Sequence, residues 1–452
     1  MADYLDRLAT FAADVRLGAL PGSAGAAARR VLLDTLGAMI AGSAEAENRK
    51  LARLASGRGH GDVTLIGHAV KADAFWGGLT NATAGVALEV DEGNRHGGGH
   101  PAIHTIPGAL AVAEERELDG AALLGAIVAG YEVGSRIGGA TTARGNVHSH
   151  GTWGTISTAV AVARLGECPP AVVRDVINLA ASMSPANTWT PALEGATIRN
   201  LYPGRSAWNG ILAVDLQRCG FGGLRDAPSD VYGTLLAERF EPDAAVAGLE
   251  ALGHGVPYRL EQNYFKFHAC CRYNHFALDA LAALRRAHRF DAADVTRVTV
   301  TTIPFATRMT DPGPTTMLAA KFSVPYAIAA AIVLERTDVE AFVPSALDDP
   351  RIRDLARRVT VLADPAMSPR RNDRTTAHVA LTLRNGRTLT QDTTTVHGDA
   401  ESPANDDELT EKFLKLTTPI LGETNARHVI AAVAELDRLK DVGQLTRFLI
   451  PS

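Results

Sequence analysis

The chain has 452 residues, 46% of them apolar and 21% charged, with a formal net charge of −5. That length supports a large buried core and two or three domains, and the slightly acidic balance supplies no basic field for nucleic acid. No apolar run reaches the roughly 18 residues of a membrane span, so the expectation is a soluble protein without nucleic-acid or membrane partners.

The N-terminal stretch carries acids early and no signal-peptide core. The four cysteines, Cys168, Cys219, Cys270 and Cys271, form no CxxC pair. Both features point to the cytoplasm.

In chain order, apolar residues at helical spacing predict a helix from Ala26 to Ala41. A short β-like run covers Val63 to Ile66, and a helix follows from about Asp73 to Leu88. Pro101 suits the first turn of the next helix. Further helices are predicted over Gly120–Ile137, Thr152–Leu165 and residues 170–184. Abundant alanine and few β-branched runs favour helix throughout.

The composition changes after Asn263. A helix from His275 to His288 precedes a strand over 294–304, and a single helix is expected over Ala319–Leu334. Residues 357–364 and 378–395 read as strands, with Asn385-Gly386 as a hairpin turn. From about Asp406 the pattern is helical again, first over EKFLKLTTPIL (411–421) and then over ARHVIAAVAELDRL (426–439). The fold expected is mainly α: a helical domain of residues 1–263, joined by C-terminal helices 406–452, with an inserted α/β lid over 264–405.

Five segments concentrate chemistry. The first holds Glu89, Asp91 and Glu92, a glycine turn at 97–99, and His96, His100 and His104. Histidine moves protons near neutral pH, and carboxylates beside it orient the ring; the plainer reading is a polar loop between helices. A metal site is not expected, because there is no HExxH and no cysteine nearby. The second, residues 147–155, places His148 and His150 before a helix start, where free N–H groups favour anions. The third, residues 194–210, offers Arg199, Tyr202 and Arg205, and arginine forks grip carboxylates. The fourth, residues 265–281, packs Lys266, His268, Arg272 and His275 around Cys270 and Cys271. The fifth, residues 320–332, opens an apolar helix at Tyr326.

In this order and spacing, the five segments resemble the MmgE/PrpD family, over nearly the whole chain from DTLGAMIAG (34–42) to EKFLKL (411–416). The stretch Asn81–Pro101 is similar to its acid-then-His-Pro pattern, and 148–154 to its HPTGTWG-type motif. Gly195–Gly204, Lys266–His275 and Phe322–Tyr326 are similar to its other three. The resemblance implies a helical domain with an α/β lid, a homodimer, and a site between the domains that uses no metal or organic cofactor.

It further implies an acid–base enzyme on a small di- or tricarboxylic acid. The expected activity is a lyase, in the first place a carbon–oxygen lyase dehydrating 2-methylcitrate-like compounds, with decarboxylation of cis-aconitate-like compounds as the other lyase chemistry. An epimerase of an amino- or imino-dicarboxylate and an inactive carboxylate-binding homologue are the alternatives. Catalytic roles are expected at His100, His148, Glu89, Asp91 and Tyr326. Substrate contacts are expected at Lys266, Arg199, Arg272, Cys271, His275 and Gly93. The chain departs from the family pattern at Glu89, Gly93, Arg199, Tyr202 and Cys271, where aspartate, a hydroxyl residue, lysine, histidine and histidine are the comparison residues.

Overall fold

The computed structural model describes residues 3–367 and 376–451. It is mainly helical, with a small sheet in its C-terminal part. The long helices Gly22–Ser43, Ala74–Val86, Pro101–Glu115, Gly120–Gly139, Gly154–Leu165 and Leu201–Arg218 pack face to face. Local chemistry starts several of them. Asp73 and Asp119 each accept from the backbone N–H three residues on, and Pro101 occupies a first turn.

Small residues set the helix spacing. A Cβ at Gly42 would fall 1.8 Å from the Ala84 carbonyl oxygen, so the Gly22–Ser43 and Ala74–Val86 helices touch backbone to backbone there. No described helix is long and apolar enough to cross a membrane.

The sheet runs in the order Val359–Ala363, Val295–Thr302, Ala377–Leu383, Thr388–Thr393. Its first pair is parallel and the other two are antiparallel. In Ala377–Leu383 the residues Ala377, Val379, Leu381 and Leu383 point inward, with less buried residues between them. Gly386, at φ +82°, closes the hairpin from a conformation that glycine adopts freely.

One sequence expectation changes. The helix over 319–334 is two helices, Met317–Lys321 and Val324–Leu334. Ser323 breaks it: its Oγ accepts from the Tyr326 N–H at 3.0 Å and Pro325 follows in the new first turn. The C-terminal helical segment Asp406–Ala434 is two helices meeting at Gly422, whose φ is +75°, between the two helical stretches that the sequence predicts.

Two apolar cores result. One gathers residues from Tyr4 to Phe265 together with Ala404 to Leu449. The other is built mostly from Ala269 to Val396, with Ala38, Ala41, Leu88, Val90 and Ala192 contributing from the helical side.

Candidate active site

The helix Ala74–Val86 delivers the acidic residues. Glu89 stands just past its end at φ +56°, the left-handed region, which side-chain-bearing residues occupy only when their surroundings hold them. Arg199 Nη1 meets the Val86 carbonyl at 3.4 Å and Lys321 Nζ the Ala87 carbonyl at 3.3 Å, so cations finish this helix end. Glu92 is fully buried and accepts the Ala102 N–H at 2.7 Å and the Tyr131 hydroxyl at 3.0 Å. Burial pushes its carboxyl up to about 8. The glycine turn is closed by Asn94 and Gly99, which exchange two backbone bonds, with Gly98 at φ +64°. His100 follows directly, at the head of Pro101–Glu115.

His100 and His148 are fixed in opposite senses. His100 Nδ1 lies 2.7 Å from the Glu92 carbonyl and 3.0 Å from Asp91 Oδ2. Two acceptors there make Nδ1 the protonated nitrogen and leave Nε2 with its lone pair. His148 Nδ1 instead accepts the His150 backbone N–H at 3.0 Å, and its Nε2 is buried with no hydrogen-bond partner among the described residues. Its Nε2 therefore carries the hydrogen. Burial, with Arg199 nearby, drives His148 and His150 well below the ordinary histidine range, so both stay neutral. The Asn187 carbonyl takes the His148 N–H at 2.9 Å and its Nδ2 donates to the His150 carbonyl at 2.8 Å, which anchors this loop.

The rings form a continuous ladder. Trp189 and His148 lie 3.9 Å apart between centroids, His148 and His150 4.9 Å, His150 and His100 4.5 Å, and His100 and Tyr264 6.2 Å. The Arg272 guanidinium covers the Tyr264 ring at 4.7 Å. This ladder borders a cavity of about 150 Å³ that also touches Glu89, Arg199, Cys271 and Phe322. That is below the roughly 300–1,000 Å³ of pockets for drug-sized ligands, so the space selects a small molecule.

Charges at the cavity are matched internally. Glu89 accepts from Lys266 Nζ at 2.9 Å and pairs with Arg199 at 2.5 Å. Lys266 also lies 3.6 Å from Asp91. Burial opposes both carboxylates, but Arg199 and Lys266 at Glu89, and Lys266 and His100 at Asp91, outweigh it and hold them below the usual range. Arg272 pairs with Asp399, and Arg95 with Glu401. Buried guanidinium nitrogens remain over: Arg272 Nε and Nη1 and Arg199 Nε have no hydrogen-bond partner among the described residues.

The sequence-selected residues divide accordingly. His100, His148, Glu89, Arg199, Arg272 and Cys271 line the cavity, and Asp91 and Lys266 brace it from behind. Two expected residues are turned elsewhere. Tyr326 donates its hydroxyl to the Ala341 carbonyl at 2.9 Å and packs on Phe342, because Ser323 restarts the helix and sends that side chain into the second core. His275 bonds the Cys270 carbonyl through Nε2 at 3.1 Å and stacks on His268. Gly93 pairs with Tyr264 in an antiparallel bridge.

Tyr264 and Trp189, both cavity residues, stand outside the sequence selection, as does His150 apart from its pairing with His148. Tyr264 sits one residue before the fourth segment, and no local pattern marks it. Asp91, His100 and His150 bring possible metal-ligand atoms within 4.8 Å of one another. Lys266 beside Asp91 and Arg199, 3.5 Å from His150, place fixed positive charge against such an ion.

The MmgE/PrpD N-terminal domain matches residues 6–238 and the MmgE/PrpD C-terminal domain residues 268–438. Among curated proteins, cis-aconitate decarboxylase of Aspergillus terreus is 23% identical over 420 residues, covering 86% of this chain and 84% of that protein. Cis-aconitate decarboxylase of Mus musculus is 25% identical over 390 residues, 82% of this chain and 77% of that protein. That of Homo sapiens is 24% identical over 452 residues, with coverages of 93% and 89%. With both halves matched on either side of the segment that carries Tyr264 and Lys266, the chain belongs to the MmgE/PrpD family.

Proposed function

We propose that this protein is a lyase of a small di- or tricarboxylic acid, acting through its own acid–base side chains. Family membership and the decarboxylase relatives support the lyase class. The observation that carries the reading is the opposed pair of histidine tautomers at one cavity: His100 with an open Nε2 lone pair, and neutral His148 with an open Nε2–H.

Losing carbon dioxide and losing water both place negative charge on a carbon next to a carboxylate. In a dehydration, His100 Nε2 takes the proton from that carbon and passes it to the departing hydroxyl, which leaves as water; in a decarboxylation, His100 first takes a proton from solvent on Nε2, and delivers it to the carbon that keeps the electron pair of the broken bond to carbon dioxide. His100 Nδ1–H, held by Asp91, stabilises the imidazolium that forms. His148 Nε2–H donates to the enediolate-like oxygen. A neutral donor in a buried site is worth roughly 10²–10³ in rate. The leftover nitrogens of Arg272 and Arg199 face the substrate carboxylates. Glu89 holds Arg199 and Lys266 in place, which gives it a positioning role in place of proton transfer.

The decarboxylase names of the relatives favour loss of carbon dioxide over loss of water. A screen of di- and tricarboxylates in heavy water, read by mass spectrometry, separates the chemistries. Loss of carbon dioxide from a tricarboxylate is expected. Loss of water gives a dehydratase, deuterium uptake with the skeleton intact gives an epimerase, and no turnover of any acid overturns the lyase reading. The family resemblance also supports a homodimer, which sedimentation analysis checks.

A further inference from the structure

The cavity has a phenol that none of the five sequence segments accounts for. Tyr264 is buried, lines the cavity, and stands edge-on to His100 at 6.2 Å and 80°. Its hydroxyl makes no hydrogen bond among the described residues and is not sealed from the cavity that the residue lines. Tyr326, by contrast, spends its hydroxyl on the Ala341 carbonyl.

The backbone opposite is built around this phenol. The Gly93 N–H donates to the Tyr264 carbonyl at 3.0 Å and the Tyr264 N–H to the Gly93 carbonyl at 2.8 Å. A Cβ on Gly93 would fall 2.3 Å from the Tyr264 hydroxyl oxygen and 2.4 Å from Cζ. Gly93 is absent from the positive-φ glycines, so its backbone would accept a side chain. The phenol alone demands glycine there. A side chain at 93 and the hydroxyl of Tyr264 therefore compete for one position.

We infer that Tyr264 is the phenolic donor of this site, contacting substrate beside His100, and that residue 93 is glycine in order to admit it. The placement explains two features together. A hydroxyl at the edge of the ladder, with the Arg272 guanidinium over its ring, gives the substrate a second donor on the far side of His100 from His150 and His148. Burial raises the Tyr264 phenol well above its ordinary range, so it stays protonated and acts as donor. The general base remains His100. The inference rests on the lyase reading above for its chemistry, and on the Gly93–Tyr264 geometry for its place.

The test uses the full chain. Tyr264→Phe removes one oxygen and keeps the ring, so melting temperature and circular dichroism stay at wild-type values. Turnover of the acid found in the screen should fall at least about tenfold. Tyr264→Ala should fall further, and Gly93→Thr combined with Tyr264→Ala should regain part of that loss by returning a hydroxyl to the vacated space. Wild-type kcat and KM in Tyr264→Phe overturn the inference. If wild-type protein turns over no polycarboxylate, the lyase reading fails, and binding of tricarballylate judges Tyr264 instead. A dissociation constant weakened about tenfold in Tyr264→Phe sustains the donor role, and an unchanged one overturns it.

Discussion

His148 is a donor because a backbone amide occupies its other nitrogen, and His100 is an acceptor because Asp91 and the Glu92 carbonyl occupy its Nδ1. Asp91→Asn removes the charge that stabilises protonated His100 and allows the wrong tautomer. Turnover should then fall by roughly 10²–10⁴ with the fold intact by circular dichroism; a fall below threefold contradicts the dyad. Glu92 gives a stability prediction. Its folded carboxyl keeps a proton up to about pH 8, against an ordinary value of 4.5. The folded state thus binds a proton that the unfolded chain has released. This contribution is complete below about pH 4.5 and is lost as pH rises through about 8, on the order of a few kcal/mol. Glu92→Gln should therefore gain stability relative to wild type between pH 5 and pH 8.5 in paired denaturant titrations, and a pH-independent difference contradicts a neutral Glu92. At this scale the sequence identified residue types better than directions. His100 and His148 were legible because histidine beside carboxylates or glycine suggests proton transfer. The direction of the Tyr326 hydroxyl was not legible, because a helix break, invisible in an apolar run, turns it to the Ala341 carbonyl. Tyr264 was silent because its role depends on a glycine 171 positions earlier in the chain.

Elements here are spaced by glycine and alanine more than by large side chains. Gly42→Ala forces a methyl group to within 1.8 Å of the Ala84 carbonyl oxygen, and the two helices must separate. A loss of about 1–3 kcal/mol is expected in chemical denaturation. Gly25→Ala lies in the same helix, where the nearest atoms stand at an ordinary 3.6 Å, and should stabilise by about 0.5–1 kcal/mol. Equal effects at both positions refute the close crossing. Most helices were legible because their ends carry local signals, Asp73, Pro101 and Asp119 among them, and the hairpin because Asn385-Gly386 fits one turn. The exception is Ser323, which interrupts a helix inside a stretch whose hydrophobic spacing continues unbroken, so periodicity alone runs through it.

Across the whole molecule, the C-terminal helical segment ties the parts together. Lys412 Nζ reaches Asp34 at 2.6 Å and the Val90 carbonyl at 2.8 Å, and lies over the Phe267 ring at 5.8 Å. It thus joins the Gly22–Ser43 helix, the acid loop and the segment leading to Lys266. Lys412→Met strands a buried Asp34 carboxylate and should cost about 3–5 kcal/mol. Lys412→Met with Asp34→Leu should cost less than Lys412→Met alone, since neither charge is then left unpaired. Additive losses contradict the pair. The ring ladder crosses the same divide: its histidines rise from the helical side, and Trp189 packs on the second core. Of the four tryptophans, Trp189 alone lines the cavity. Its indole lies 3.9 Å from the His148 ring, whose Nε2 has no hydrogen-bond partner among the described residues. The protein therefore contains its own optical probe. Occupancy of the cavity should register as a change in indole emission, lost in Trp189→Phe, and candidate acids can be ranked by light before any product is known.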